Sequence, residues 1–421
     1  MQIADVTSDT GFKSGASVRF HMDTDVVVGG GGATGAGTAR DLAARGLDVT
    51  LLDRDGLLGG TSGRSHGLLH SGARYAEDDP EAARECIREN RVLRDIAGAA
   101  VRDTGGLFVS LPEDDPDYYD RKVDACRECG IPVEELAPGA ARDRESELGD
   151  VDRAFAVPDA VVYPSRLVAA NAAAAREYGA DVRTDAPVTD VRVDDGTAIA
   201  VETPDGTVSA RFVVNATGAW AGEVAGMAGL SLEMNPTRGA MVVVDRTVAP
   251  VLNRCRPPAD GDIVVPHDDR AVLGTTSVPV DDPEAYPRED AEVERVVREC
   301  AAMVPGLADA EVLSTYWGVR PLYGDSSRET AREDSRSFHL VDHAEDGVDR
   351  FCSIVGGKLT TYRSMAEAVV DHVCDRLGHD ASCRTAAEQL PGANDPDALD
   401  GFVREFGGSG PADADVVGQR P

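Results

Sequence analysis

Four consecutive glycines, Gly29 to Gly32, stand between a run of valines and a helix-like stretch, and no other feature constrains this chain as tightly. The segment DTDVVVGGGGATGAGTARDLAARGLDVTLLDRD, from Asp23 to Asp55, reads as strand, turn, helix, strand. Inside it, Gly30, Gly31, Gly32, Ala33, Thr34 and Gly35 form G-x-G-x-x-G directly after the strand Val26–Val28. Gly30 permits a tight turn, Gly32 lets backbone approach a pyrophosphate, and Gly35 lets helix and strand pack closely. Asp53 ends the next strand, where an acid for a ribose hydroxyl is expected about 20 residues on. The N–H groups and the positive dipole end of the helix point at the same place. The segment therefore predicts an α/β unit that binds a dinucleotide. The fingerprint alone does not separate FAD from NAD.

Two later segments favour FAD. FVVNATGAWA, Phe212 to Ala221, is a strand ending in Ala216, Thr217 and Gly218, which flavoproteins set against the adenylate half of the cofactor. Gly356 and Gly357 precede a helix and bring backbone N–H groups toward a flavin ring, where they stabilise charge on its reduced form. Between these pieces lie helices over 80–100, 116–130 and 289–304, short strands from 182 to 214 separated by DDG and PDG turns, and a strand-rich stretch over 240–277. The nucleotide-type pieces are far apart, as in a cofactor domain interrupted by a second one. We place the cofactor domain at 23–85, 155–225 and 340–378, and the substrate or cap domain at 86–154 and 226–339. Residues 1–22 are expected to be a disordered extension, with Met22 as a candidate true start, and 379–421 a short tail.

The chain carries 75 acidic and 42 basic residues, a formal net charge of -33. Such a surface repels nucleic acid and anionic lipid. The acids are spread along the whole chain and lysine is almost absent. That suits a solvated surface in molar salt, where charges are screened within about 3 Å, better than an acidic face for a basic partner. No apolar run approaches the ~18 residues of a membrane span, and residues 1–22 lack the apolar core of a signal peptide. The eight cysteines are scattered, as in a reduced cytoplasmic chain. Cys126 and Cys129 form one unaccompanied C-x-x-C, read as two helix residues rather than a metal site.

Long ordered stretches then match a known family. GGGATGAGTARDLAARGLDVTLLDRD, GTSGRSHGLLHSGARYAEDDPEAARECIREN, RCRPPADGDIVVP, LGTTS, GVRPL and VGGKLTTYRSMAE resemble the FAD-dependent glycerol-3-phosphate dehydrogenases, closest to the catalytic A subunit of the anaerobic enzyme, from about Asp23 to Gly392. The resemblance implies a D-amino-acid-oxidase-like fold, with a Rossmann-type FAD domain interleaved with a substrate domain on a mixed sheet. It implies oxidation of sn-glycerol 3-phosphate to dihydroxyacetone phosphate by hydride transfer to flavin N5, with electrons passed towards quinone. The expected partners are a B subunit containing flavin, together with an iron–sulfur C subunit that docks at the cytoplasmic face of the membrane. The anaerobic A subunit continues into a cysteine-rich domain, whereas no cysteine follows Cys383 here, so a cluster at that end is expected to be absent. Aerobic relatives carry a histidine just before IVVP. Here Asp262 stands there, so no phosphate ligand is expected at that position.

By resemblance, Arg74, Tyr75, Arg320, Arg336 and Lys358 line the substrate pocket. Arginine forks suit a phosphate dianion and lysine adds a compact charge. Lys358 is one of three lysines, with Lys13 and Lys122. It is read as facing phosphate or flavin, where a guanidinium would not fit. Loss of the hydroxyl proton requires a base in hydrogen-bond reach. His70 is the first candidate, and Arg320, acting electrostatically on alkoxide character, is its rival. His66 is read as a structural partner in the loop. The cofactor contacts expected beyond the fingerprint are Arg54, Thr61, Ser62, Ser65 and Leu69 early in the chain, then Ala216, Thr217 and Gly218, and finally Gly356, Gly357, Leu359 and Thr360. A flavin oxidase of glycerol 3-phosphate, or of another small hydroxy or amino acid, is the alternative activity. Hydrogen peroxide production separates the two.

Overall fold

The computed structural model describes residues 22–324 and 337–408. Strand β1 (Met22–Gly29) feeds the glycine turn, helix α1 (Ala33–Ala44) and strand β2 (Val49–Leu52) follow, and β1 and β2 pair in parallel with Val26 opposite Val49. The valines of β1 face alternate sides. Val26 and Val28 pack under α1 and the helices Pro164–Glu177 and Tyr362–Leu377, while Val27 joins a second core on the opposite face. Both faces are covered, so the strand reads as an unbroken apolar run rather than an alternating one.

Strand Gly206–Asn215 lies on the other side of β1 and in parallel with it. Its far half pairs with Phe351–Gly356, and its near half closes an antiparallel meander with Asp190–Asp194 and Thr197–Thr203. The strands predicted over 182–214 thus supply both the meander and a central parallel strand. Among the described residues this sheet has eight strands, a second has nine and a third has three.

The nine-stranded sheet is mixed. Thr237–Val244 pairs antiparallel with Arg270–Gly274 and Val312–Arg320. Val251–Arg254 runs parallel to Gly106–Ser110, which in turn pairs antiparallel with Arg153–Val157. Two separate excursions of the chain, one near 106–157 and one over 237–320, close a single sheet. Helix Asp290–Met303 packs on it through Val296, Cys300 and Met303.

Several expected boundaries move. Helix α2 (Pro80–Ala97) straddles the crossover expected at 85: Leu93, Ile96 and Ala97 lie in the core of the glycine-turn half, and Ala83 and Ile87 in a core shared with Phe108 and Phe155 of the mixed sheet. Arg153–Val157 belongs to the mixed sheet, so the return comes after 157 and not at 155. The stretch expected to be a short tail is integral as far as it is described. Helix Pro396–Glu405 buries Leu399 and Val403 in the same core, and Asp400 pairs with Arg166 at 2.8 Å. The apolar positions were visible in all three places; which sheet they cover was not. The expectation for residues 1–21 lies outside the described residues.

Candidate functional site

The glycine turn opens on a cavity of about 1200 Å³ that runs from the end of β1 into the seam between the two large sheets. Ordinary ligand pockets span roughly 300–1,000 Å³. The cavity therefore has room for a dinucleotide and a small substrate together.

At one end the backbone is cleared for a ligand. Gly30 has φ +102, and a Cβ there would lie 2.5 Å from the Ala216 carbonyl oxygen. A Cβ on Gly35 would collide with the Gly30 carbonyl, so this glycine sets the approach of α1 to β1. Gly32 is the N-cap of α1 and has no side-chain cap; a Cβ on it would meet only Ser62 Oγ, at 3.2 Å. The space beside Gly32 is a cradle that a side chain would fill, at a helix end whose N–H groups need acceptors. The Ala33 N–H already donates to Ser62 Oγ at 3.0 Å. Asp53 accepts the Gly31 N–H at 2.5 Å and the Asp55 N–H at 2.9 Å, and burial lifts its pKa above the usual carboxylate value. The Arg54 guanidinium lies 4.2 Å from the Trp220 ring centre and pairs with Glu284 at 2.5 Å. The turn, the capless helix end, the buried acid and the cavity length fit the pyrophosphate and ribose of FAD.

The other end carries three cations, in a lining that also includes Asp78 and Asp79. Arg74 sits on the short turn Ala73–Tyr75, with Nη2 3.2 Å from Oδ2 of the fully buried Asp262. Asp262 also takes Arg256, at 2.8 Å, and accepts the Ala259 N–H. It therefore fixes cations instead of binding an anion. Arg320 ends the strand Val312–Arg320, where its Nη2 donates to Thr275 Oγ1 and the Thr276 carbonyl, each at 3.1 Å. Lys358 Nζ lies 4.8 Å from the Tyr75 ring centre, and the His70 ring is 5.3 Å from the same ring. Lys358 follows two positive-φ glycines, Gly356 (φ +81) and Gly357 (φ +72). A Cβ on the first would lie 2.7 Å from the Ser337 carbonyl oxygen, and one on the second would strike Met365 Sδ.

Most of the expected contacts line this cavity: Gly30, Gly32, Ala33, Thr34, Asp53, Arg54, Thr61, Ser62, Ser65, His70, Arg74, Tyr75, Ala216, Thr217, Gly218, Arg320, Gly356, Gly357, Lys358 and Leu359. Three lie one layer behind it. Gly35 is buried in helix packing. Leu69 is fully buried and pairs with Ala160 in the small sheet. Thr360 is fully buried, and its Oγ1 accepts the His70 N–H at 3.0 Å. Leu69 and Thr360 shape the loop from behind and do not touch the cavity; each sits where the chain turns back into the core. Arg336 lies outside the described residues.

His66, read from sequence as a loop support, is a wall of the cavity. Its Nδ1 accepts the Leu68 N–H at 3.2 Å, and its carbonyl pairs with His267 Nε2 at 3.0 Å. Burial, then the charges of Arg320 and Arg74, push its pKa down to about 3. Trp220, Arg64, Thr275 and Thr276 also line the cavity and were missed. His66 and Trp220 were signalled only by lying inside stretches already singled out. Thr275 and Thr276 carried no local signal beyond LGTTS, because their position depends on the pairing of Arg270–Gly274 with Thr237–Val244.

The model of the FAD dependent oxidoreductase family (DAO) matches residues 25–363. The chain is 50% identical to the A1 subunit of anaerobic glycerol-3-phosphate dehydrogenase from Haloferax volcanii, over 91% of this chain and 69% of that protein. It is 43% identical to the A subunit of anaerobic glycerol-3-phosphate dehydrogenase from Escherichia coli, over 90% of this chain and 72% of that one. The fold is also similar to that of the reduced, FAD-bound L-alpha-glycerophosphate oxidase of Mycoplasma pneumoniae, with a TM-score of 0.72 at 21% identity, covering 88% of this chain and 99% of that one.

Proposed function

The chain belongs to the FAD dependent oxidoreductases that include the A subunits of anaerobic glycerol-3-phosphate dehydrogenase, and from this premise we propose that it oxidises sn-glycerol 3-phosphate to dihydroxyacetone phosphate. Bound FAD supplies the acceptor for a hydride from C2. The observation that carries the substrate reading is that Arg74, Arg320 and Lys358 all line the cavity that also holds the glycine cradle, in a chain with a net charge of -33. Arginine forks and a lysine point charge suit a phosphate dianion.

The residues divide the work. Gly30, Gly32 and the first N–H groups of α1 would hold the pyrophosphate, and Asp53 a ribose hydroxyl. Arg74, held by Asp262, and Lys358 take the phosphate of the substrate. His70, whose backbone N–H donates to Thr360 Oγ1, accepts the C2 hydroxyl proton through its ring. Arg320, held by Thr275 and Thr276, supports negative charge on that oxygen as the proton leaves. Two partners follow from the same premise, a B subunit containing flavin with an iron–sulfur C subunit, which take the electrons toward quinone at the inner face of the membrane. Among the described residues, no helix is long and apolar enough to cross a membrane.

The test is anaerobic, in high-salt buffer, on the FAD-loaded chain. Adding sn-glycerol 3-phosphate should bleach the flavin absorbance within the mixing time of a cuvette. Flavin that stays oxidised with the substrate yet bleaches with dithionite would defeat the reading. Repeating the reaction in air separates the oxidase alternative, since a dehydrogenase forms little hydrogen peroxide.

A further inference from the structure

The two histidines of His66-Gly67-Leu68-Leu69-His70 both line the substrate end of the cavity, with ring centres 6.3 Å apart and planes at 68°. A single oxygen hydrogen-bonded to both rings at roughly 2.7–3.2 Å fits between rings at this spacing. The needs of such an oxygen are complementary, because a carbinol hydroxyl donates once and accepts as well. Nδ1 of His66 already accepts the Leu68 N–H, so the proton of the neutral ring is on Nε2 and that nitrogen is its donor.

We propose that His66 is a second substrate-touching histidine, whose Nε2–H donates to the C2 oxygen of the phosphorylated triol while the hydroxyl proton of that oxygen is donated to His70. The inference rests on the oxidation proposed above and deepens it. With FAD held by the glycine cradle to accept the C2 hydrogen and its two electrons, the hydroxyl proton would pass to His70 and the C2–O bond would become a carbonyl. The His66 N–H stays on that oxygen from alcohol to ketone and gains strength as negative charge develops there.

The surroundings hold this donor still. The Tyr316 hydroxyl donates to the Ser65 carbonyl at 3.2 Å, and His267 Nε2 pairs with the His66 carbonyl. Gly67 has φ +77, and a Cβ on it would lie 2.7 Å from the Val162 carbonyl oxygen. The groups that act electrostatically on the ring are Arg320, Arg74 and His267, and all three oppose a positive charge on it. His66 therefore donates without titrating across the working range of pH, while proton transfer is left to His70.

The test uses the FAD-loaded chain with His66→Ala and His66→Gln, the latter keeping an N–H donor. His66→Ala should slow anaerobic flavin reduction by about 100-fold, the usual loss for one such donor, and His66→Gln should recover most of it. By calorimetry, His66→Ala should weaken dihydroxyacetone phosphate about 10-fold and leave inorganic phosphate unchanged. The pH limb of flavin reduction should stay in place in His66→Gln. If the alanine variant does not fold, His66→Met fills the space without a donor and carries the same expectation. Reduction at the wild-type rate in the donorless variant, an equal loss for inorganic phosphate, or a vanished pH limb in His66→Gln would each overturn the assignment. Wild-type flavin that sn-glycerol 3-phosphate does not bleach would instead strike the parent reading.

Discussion

At the scale of single residues, the glycines do different jobs and their variants should fail differently. Gly32→Ala adds a methyl that meets only Ser62 Oγ, at 3.2 Å, so the chain should fold. The methyl would occupy the pyrophosphate's place, and FAD affinity should fall by about 10-fold or more. Gly35→Ala drives a methyl into the Gly30 carbonyl and should cost stability as well as FAD. FAD content and thermal midpoint, measured together, separate the two. Lys358 follows a positive-φ glycine pair and sits over Tyr75, where a longer planar fork would meet the ring. Lys358→Arg should lower kcat/KM for sn-glycerol 3-phosphate by about 10-fold or more, and unchanged kinetics would show that only the charge matters. His66 also makes a pH signature. Its folded pKa is near 3, whereas an unfolded histidine titrates near 6.5. Between these values the unfolded chain binds a proton that the folded one does not, so stability rises with pH at about 1.4 kcal/mol per unit. In urea denaturation between pH 5 and 6, His66→Gln should lose that part of the slope.

At the scale of elements, α2 and the helix Tyr362–Leu377 are joined by a buried pair. Arg363 donates twice to Glu89, at 2.7 Å each, and Glu89 is fully buried. Arg363 also reaches Glu367 at 2.8 Å. This pair locks the helix that directly follows the turn of Lys358 and Thr360 to the one whose Asn90 side chain donates to the Leu69 and His70 carbonyls. Glu89→Gln would leave a guanidinium buried with half its compensation gone, at a cost of about 3–5 kcal/mol. Chemical denaturation measures that cost. A loss below about 1 kcal/mol would mean that Glu367 and water replace the pair. The helix itself was legible in the sequence from its apolar stripe, Ala83, Ile87, Leu93, Ile96 and Ala100, and all five are buried, although the helix ends at Ala97 and Ala100 lies in the turn after it. Its partner was not, because a stripe records that a face is covered and not what covers it.

At the scale of the whole molecule, the net charge of -33 makes the folded state repel itself. Screening relieves this, so the thermal midpoint should climb as potassium chloride rises from 0.1 M towards 2 M, over which the Debye length drops from about 10 Å to below 3 Å. A midpoint independent of salt would remove the halophilic reading. The cavity belongs to this scale too. Arg74, Arg320 and Lys358 reach it from three distant parts of the chain, and His66 takes its place because Tyr316 and His267 of the mixed sheet hold its loop. The sequence by itself determined the features that depend on a few neighbouring residues. These are the strand–turn–helix of the glycine fingerprint, the acid at the end of β2, the amphipathic helices and the charge. Backbone sterics and side-chain periodicity act over one or two turns, and these elements follow from them. Only the tertiary structure decided which sheet received Arg153–Val157, that 390–406 close the first core, and that Leu69 and Thr360 stand behind the wall while His66 forms it. Those outcomes rest on strand pairing and helix packing between segments distant in the chain, and no short window of sequence contains both partners.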